Sequence, residues 1–157
     1  MKTYFYLLFF SSFLLAESLD IKALKLIAND KNQTIELIDN VVIKKGNDEL
    51  FASKVIMRVD NRRVPINYSA YGGVKFRVTT KNNRIFQGKS NEAYYDALTG
   101  EYRLIGDGII KENNTINVVT GDEIILNNDT GYVNVVGSRN RPAKLIFELE
   151  EKPNPSK

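Results

Sequence analysis

The side chains that could do chemistry are few, and their settings argue against catalysis. The 157 residues include no His and no Cys. That removes the Ser-His-Asp triad, the thiolate nucleophile, the haem imidazole and the ordinary zinc site, each of which needs imidazole or thiolate. Acid/base work would fall to carboxylates, which group as Asp48-Glu49, Asp122-Glu123, and Glu148, Glu150 and Glu151. The first two groups occupy turn-to-strand junctions, where Asp caps backbone groups, and the third belongs to a charged tail. A glycosidase site would also want aromatic platforms, yet there is no Trp, and Tyr94, Tyr95 and Tyr102 read as cross-strand pairs. No catalytic residue, metal site or cofactor is expected, and the chain is read as a non-enzyme.

Cations gather at Lys44-Lys45, at Arg58, Arg62 and Arg63, and at Arg139, Arg141 and Lys144 around Pro142. Arg forks suit phosphate, but Lys and Arg on edges and loops also keep sheet proteins soluble. With 22 basic and 19 acidic residues, the net charge of +3 is too balanced for a nucleic-acid partner. Asn32 heads an Asn-X-Thr sequon with Asp30 two places before it, the extended form of an N-glycosylation acceptor, in an expected exposed turn. Asn67, Asn113 and Asn128 head plainer triplets.

These groups must be held by strands. Period-two alternation runs through Ile35, Leu37, Asp39, Val41 and Ile43, then Val55, Met57 and Val59, then Val74, Phe76 and Val78, with Glu36, Lys75 and Arg77 facing the other way. Such alternation predicts half-buried antiparallel strands, and no helical period competes with it. Polar turns at Asn29–Asn32, Lys45–Asp48, Lys81–Asn83, Thr99-Gly100, Glu112–Asn114 and Asn127–Gly131 are frequent enough to predict short strands.

The chain also repeats. Val42-Ile43-Lys44 aligns with Ile109-Ile110-Lys111, and Ala52–Val55 with Gly121–Ile124, with Ser90–Ala93 as a divergent middle copy. Junctions recur at Asp39-Asn40, Gly72-Gly73, Asp107-Gly108 and Val136-Gly137, roughly every 30 to 35 residues, the mark of stacked hairpin units. Such units bury an apolar face either as two facing sheets or as a solenoid, and leave unpaired edges at the ends.

Lys2 precedes an uncharged stretch, Tyr4–Ala16, that closes on Leu14, Leu15 and Ala16. This predicts a cleaved secretory signal peptide over 1–16, since spanning a bilayer takes about 20 apolar residues. The expected organisation is then a β domain over 17–149 and a charged tail over 150–157 that contains Pro153 and Pro155. Export permits disulfides, but without Cys the core and the strand ladders must stabilise the domain alone.

Four stretches resemble the OstA-like family of lipopolysaccharide-transport proteins: Asp39–Val55, Gly72–Phe76, Gln87–Asp96, and Leu104–Ile124. Asn91 and Asp39-Asn40 depart from the family pattern in turn detail only. The resemblance implies an open, twisted β jelly roll of antiparallel strands whose apolar groove holds the acyl chains of lipid A. It further implies a periplasmic location, bridging the inner and outer membranes by head-to-tail self-association. Its partners of the same fold would be LptC-like at the inner membrane and LptD-like at the outer. A membrane-anchored LptC-like protein and a ligand-free structural β-repeat are the alternatives. On the alternation phase the inward residues are Leu24, Leu26, Ile35, Leu37, Val41, Ile43, Val55, Met57, Val74, Phe76, Ile116, Val118, Ile124, Leu126, Val133 and Val135, and the resemblance implies that this set binds the lipid. Such residues can equally pack on one another.

Overall fold

The computed structural model describes residues 18–80, 83–127, 130 and 132–149. The expected leader, the tail and the triplet at Asn128 lie outside them. Among the described residues twelve antiparallel strands follow one another: β1 (Leu19–Lys22), β2 (Lys25–Asn29), β3 (Thr34–Lys45), β4 (Asp48–Val59), β5 (Pro65–Tyr71), β6 (Val74–Thr79), β7 (Ile85–Ser90), β8 (Glu92–Asp96), β9 (Glu101–Glu112), β10 (Val118–Asn127), β11 (Val133–Val136) and β12 (Lys144–Ile146). The architecture is the all-β jelly roll that the repeat and the resemblance imply, with one difference. Four strands are long, at 10 to 12 residues, because the recurring junctions do not end them.

Each long strand serves two layers. The second half of β4 pairs with β5 and its first half with β6. Likewise the first half of β9 pairs with β8 and its second half with β7. Layer A therefore runs β2, 34–38 of β3, 54–59 of β4, β5, β8, 101–105 of β9, 123–127 of β10, β11. Layer B runs β1, 42–45 of β3, 48–51 of β4, β6, β7, 109–112 of β9, 118–121 of β10, β12.

The layers meet along a seam built from the repeated junctions. Three crossings use pairs in the left-handed region: Asp39 and Asn40 at φ 63° and 49°, Gly72 and Gly73 at 78° and 83°, and Gly106 and Asp107 at 80° and 50°. Asp and Asn are the non-glycine residues that tolerate this conformation best. Opposite each pair stands a single residue, Ser53, Asn91 or Asp122, the three positions aligned by the repeat. Neighbouring crossings are tied together: Ser53 Oγ donates to the Gly72 carbonyl at 2.7 Å, and Gly73 N–H to the Asn91 carbonyl at 3.1 Å. Asn91 N–H in turn donates to the Gly106 carbonyl at 2.8 Å. Arg141 bonds Asp107 and reaches Asp122 at 3.5 Å, pinning the C-terminal crossing to the same line.

Two residues opposite one is a β-bulge, and it reverses the inward phase on the strand that carries the single residue. In β4 the inward set changes from Leu50 and Ala52 to Val55, Met57 and Val59. In β10 it changes from Val119 to Ile124 and Leu126, with the register shift between Gly121 and Glu123. The expected inward position of Val118 is thereby corrected: Val119 packs on the core and Val118 faces out.

Candidate functional site: an apolar interior that opens away from the seam

Directly opposed residues of an antiparallel pair share a face, so the interior can be read row by row. In layer A the row nearest the seam is Leu26, Leu37, Val55, Ala70, Ala93, Leu104, Ile124, Val135. The next row out is Ala28, Ile35, Met57, Tyr68, Tyr95, Tyr102, Leu126, Val133. In layer B small residues crowd the seam, where Val41 opposes Ala52, Val74 opposes Ser90, and Gly108 opposes Gly121. The row beyond them is Ile21, Ile43, Leu50, Phe76, Gly88, Ile110, Val119, Leu145. Gly88 leaves room for the Phe76 ring, which a Cβ there would strike.

Burial falls off with distance from the seam. Leu37, Val55 and Ile124 are 0% exposed and Val41, Ala70 and Val74 1%; in the outer rows Met57, Ile43 and Ile110 are still buried, whereas Ile35, Tyr68, Phe76, Phe86 and Leu126 are only partly buried against the same cluster. Small residues at the seam of layer B and partly exposed large ones further out describe a wedge, closed at the seam and open at the opposite margin. The ends are open as well. Leu26, Val133 and Leu145 share rows with buried residues yet remain 60%, 54% and 62% exposed, because no further strand covers them.

An aromatic ladder crosses the margin. Tyr95 stacks on Tyr102 with centroids 4.2 Å apart and tilts against Tyr68 at 5.9 Å. Burial, and after it the neighbouring Tyr95, raises the Tyr102 and Tyr68 hydroxyls above the usual phenol range. Across from it, Glu112 receives Arg84 Nε at 2.6 Å and Nη2 at 2.8 Å, and Asn117 Nδ2 at 2.6 Å. The bonds from Arg84 and then Asn117 hold its carboxyl at about 2. Arg84 also lies over the Phe86 ring, 5.1 Å from its centroid.

Of the sixteen residues expected to face inward, Leu37, Val41, Val55, Val74 and Ile124 form the sealed seam, Met57 is as buried one row further out, and Ile43 is nearly so. Ile35, Phe76, Leu126 and Val135 lie partly exposed around them. Leu26 and Val133 hold the inward phase at the open ends. Two further positions are corrections. Leu24 is 73% exposed where β1 crosses to β2, since Ile21 and Ala23 already take the inward phase. Ile116 is 58% exposed in the β9–β10 turn, outside any strand. Tyr68, Tyr95, Tyr102, Phe86 and Val119 were not singled out by alternation, although the spacing of Tyr68 with Ala70, Ala93 with Tyr95, and Tyr102 with Leu104 carries the same period.

Several of the charged groups have structural partners. Lys44 meets Glu49 at 3.2 Å, Arg63 meets Asp30 at 3.6 Å, and Glu123 meets Arg103 at 3.5 Å. Asp48 accepts the Thr79 N–H at 2.7 Å. Among the described residues no cluster of three or more carboxylates is arranged to hold a metal ion. Asn32 is exposed in the turn before β3, where its own N–H donates to Asn29 Oδ1 at 3.1 Å.

Comparison with known proteins gives one family and one fold. A family model described as the LptA/(LptD N-terminal domain) LPS transport protein matches residues 20–132. No curated protein matches the sequence. Among solved structures, the chain is similar to LptH from Pseudomonas aeruginosa, described as the LptA homologous periplasmic component of the conserved lipopolysaccharide transport device. The TM-score is 0.71 at 14% identity, over 85% of this chain and 96% of the other.

Proposed function

The chain belongs to the LptA/(LptD N-terminal domain) family of LPS transport proteins, and from that premise we propose that it is a periplasmic, non-enzymatic carrier whose open wedge shelters the acyl chains of lipopolysaccharide. The observation that carries this reading is the burial gradient from seam to margin. A closed sandwich would seal both rows, whereas here Ile35, Tyr68, Phe76, Phe86 and Leu126 line a partly exposed apolar margin. Each methylene withdrawn from water returns about 0.8 kcal/mol, so several acyl chains outweigh any polar contact available. In this reading the sealed seam residues stiffen the wedge, and the margin meets the lipid.

The two open ends support a bridge. Copies of the chain would join head to tail and continue the interior from one to the next, with LptC-like and LptD-like units of the same fold at the inner and outer membranes. Adjacent residues of opposite phase test the site. Tyr68→Asp and Leu126→Asp place a carboxylate on the margin, where it costs several kcal/mol against acyl chains, while Ser69→Asp places it outside. Glycolipid co-purifying with the wild type and with Ser69→Asp, but not with folded Tyr68→Asp or Leu126→Asp, is the expected result. Equal capture by all four proteins would overturn the assignment.

A further inference from the structure

The two outer faces of the jelly roll are electrostatically unlike, and we propose that the outer face of layer B is a docking surface for anionic phospholipid headgroups. Two parallel rows cross that face. One pairs Asp20, Lys44, Glu49, Arg77, Gln87 and Lys111 in turn, and the other Lys22, Val42, Phe51, Lys75, Lys89 and Ile109, reaching Lys144 on β12 through Thr120. Together they hold seven cations against two carboxylates, an excess larger than the +3 of the entire chain. All seven cations are exposed. Lys44 is engaged by Glu49 at 3.2 Å, while Lys75, Arg77, Lys89 and Lys111 form no ion pair among the described residues, although Arg77 stands opposite Glu49.

Layer A shows that this is not a general surface habit. Its outer face balances Lys54 with Glu36 at 3.3 Å, and Arg103 with Glu101 at 3.7 Å and Glu123 at 3.5 Å. The cations of layer B, Lys44 apart, instead form no ion pair among the described residues and are spread over six of eight strand segments that together span roughly 34 Å at the usual strand spacing. A single small anion would need converging groups, and a spread of this width matches a plane of charge. Six of the seven are Lys, flexible point charges that suit mobile headgroups better than a fixed bidentate site. Phe51, 40% exposed, stands among Glu49, Lys75, Arg77, Lys89 and Lys111 over a shallow depression of about 560 Å³. An exposed apolar ring among cations suits an interfacial surface, where Phe enters the headgroup/acyl boundary and Lys or Arg meets anionic lipid. A lipid held inside the wedge cannot supply the anion, because layer B itself lies between the interior and this face.

Flotation with vesicles tests the proposal without any glycolipid present, so its outcome is separate from that of the carrier reading. The chain should float with vesicles of equal parts phosphatidylglycerol and phosphatidylcholine, stay behind with pure phosphatidylcholine, and be released by salt as screening shortens. Neutralising one cation should weaken partitioning about fivefold, and Lys75→Gln/Lys89→Gln/Lys111→Gln together about a hundredfold. Lys54→Gln/Arg58→Gln, on the outer face of layer A, should leave it unchanged. Equal binding to both vesicles, salt-insensitive binding, or an equal loss in both variants would overturn the proposal. So would capture of poly-glutamate without capture of anionic vesicles, which would assign the face to an acidic protein. The salt series on the wild type decides the matter even if the triple variant folds poorly.

Discussion

Single side chains of this protein have opposite roles depending on where their row ends. Leu37 and Leu26 face each other across β3 and β2, but the first is 0% exposed and the second 60%. Leu37→Asp should cost several kcal/mol and prevent folding, because an unpaired carboxylate there has no water. Leu26→Asp should keep a native circular dichroism spectrum and its urea midpoint. Glu112 makes a second residue-scale prediction. Its folded carboxyl titrates at about 2, below the ordinary 4.5, because Arg84 and then Asn117 bond the ionised form. A lowered folded value means stability that is complete above the ordinary value and is lost as pH falls from there towards about 2. Urea midpoints across this window should therefore drop more steeply for the wild type than for Glu112→Gln, and parallel acid limbs would count against the pairing.

Elements meet at the seam, where backbone conformation matters more than side-chain chemistry. Gly72 and Gly73 both have φ near 80°, but a Cβ on Gly72 would lie 2.6 Å from Ser53 Cβ, while one on Gly73 would have nothing within 4 Å. Gly73→Ala should thus cost only the left-handed penalty of about 1–2 kcal/mol. Gly72→Ala should cost that and a displaced Ser53, whose hydroxyl bond to the Gly72 carbonyl ties two crossings together. Denaturant midpoints compared at equal slope separate the two, and equal losses would remove the seam contact from the account.

On the scale of the molecule, the proposed head-to-tail joining rests on the ends. Two edge strands flank each end, β1 and β2 at one and β11 and β12 at the other, and each leaves backbone donors and acceptors for another chain. Leu145 lies opposite the inward Val119 but is 62% exposed, so a neighbouring copy could continue the interior over it. Such a contact is heterologous and need not close into a ring. Sedimentation velocity should show weight growing with concentration for the wild type. Leu145→Lys should keep monomer stability to within about 0.5 kcal/mol, as an exposed substitution does, and stay monomeric. A concentration-independent wild type, or one that stops at a closed dimer, would contradict the head-to-tail arrangement.

Strands, their antiparallel sense and the recurring junctions were legible in the residue order, but not that long strands run through those junctions. Alternation over Ile35–Ile43 needs only local sterics and one wet face, and the junctions at Asp39-Asn40 and Gly72-Gly73 needed residues that accept positive φ. The repeat also aligned Ser53, Asn91 and Asp122 before their shared position at the seam was visible. Tertiary structure alone decided the rest. Whether Val118 or Val119 points inward depends on the bulge between β9 and β10, which is a count of residues across two strands rather than along one. The tyrosine ladder joins β5, β8 and β9, and the basic face of layer B joins Lys75 to Lys89 and on towards Lys111, through register between segments far apart in the chain. Cross-strand pairing sorts residues by face and by row, and that sorting, set by which strands become neighbours, turned evenly scattered charge and apolar surface into an open wedge with one basic side.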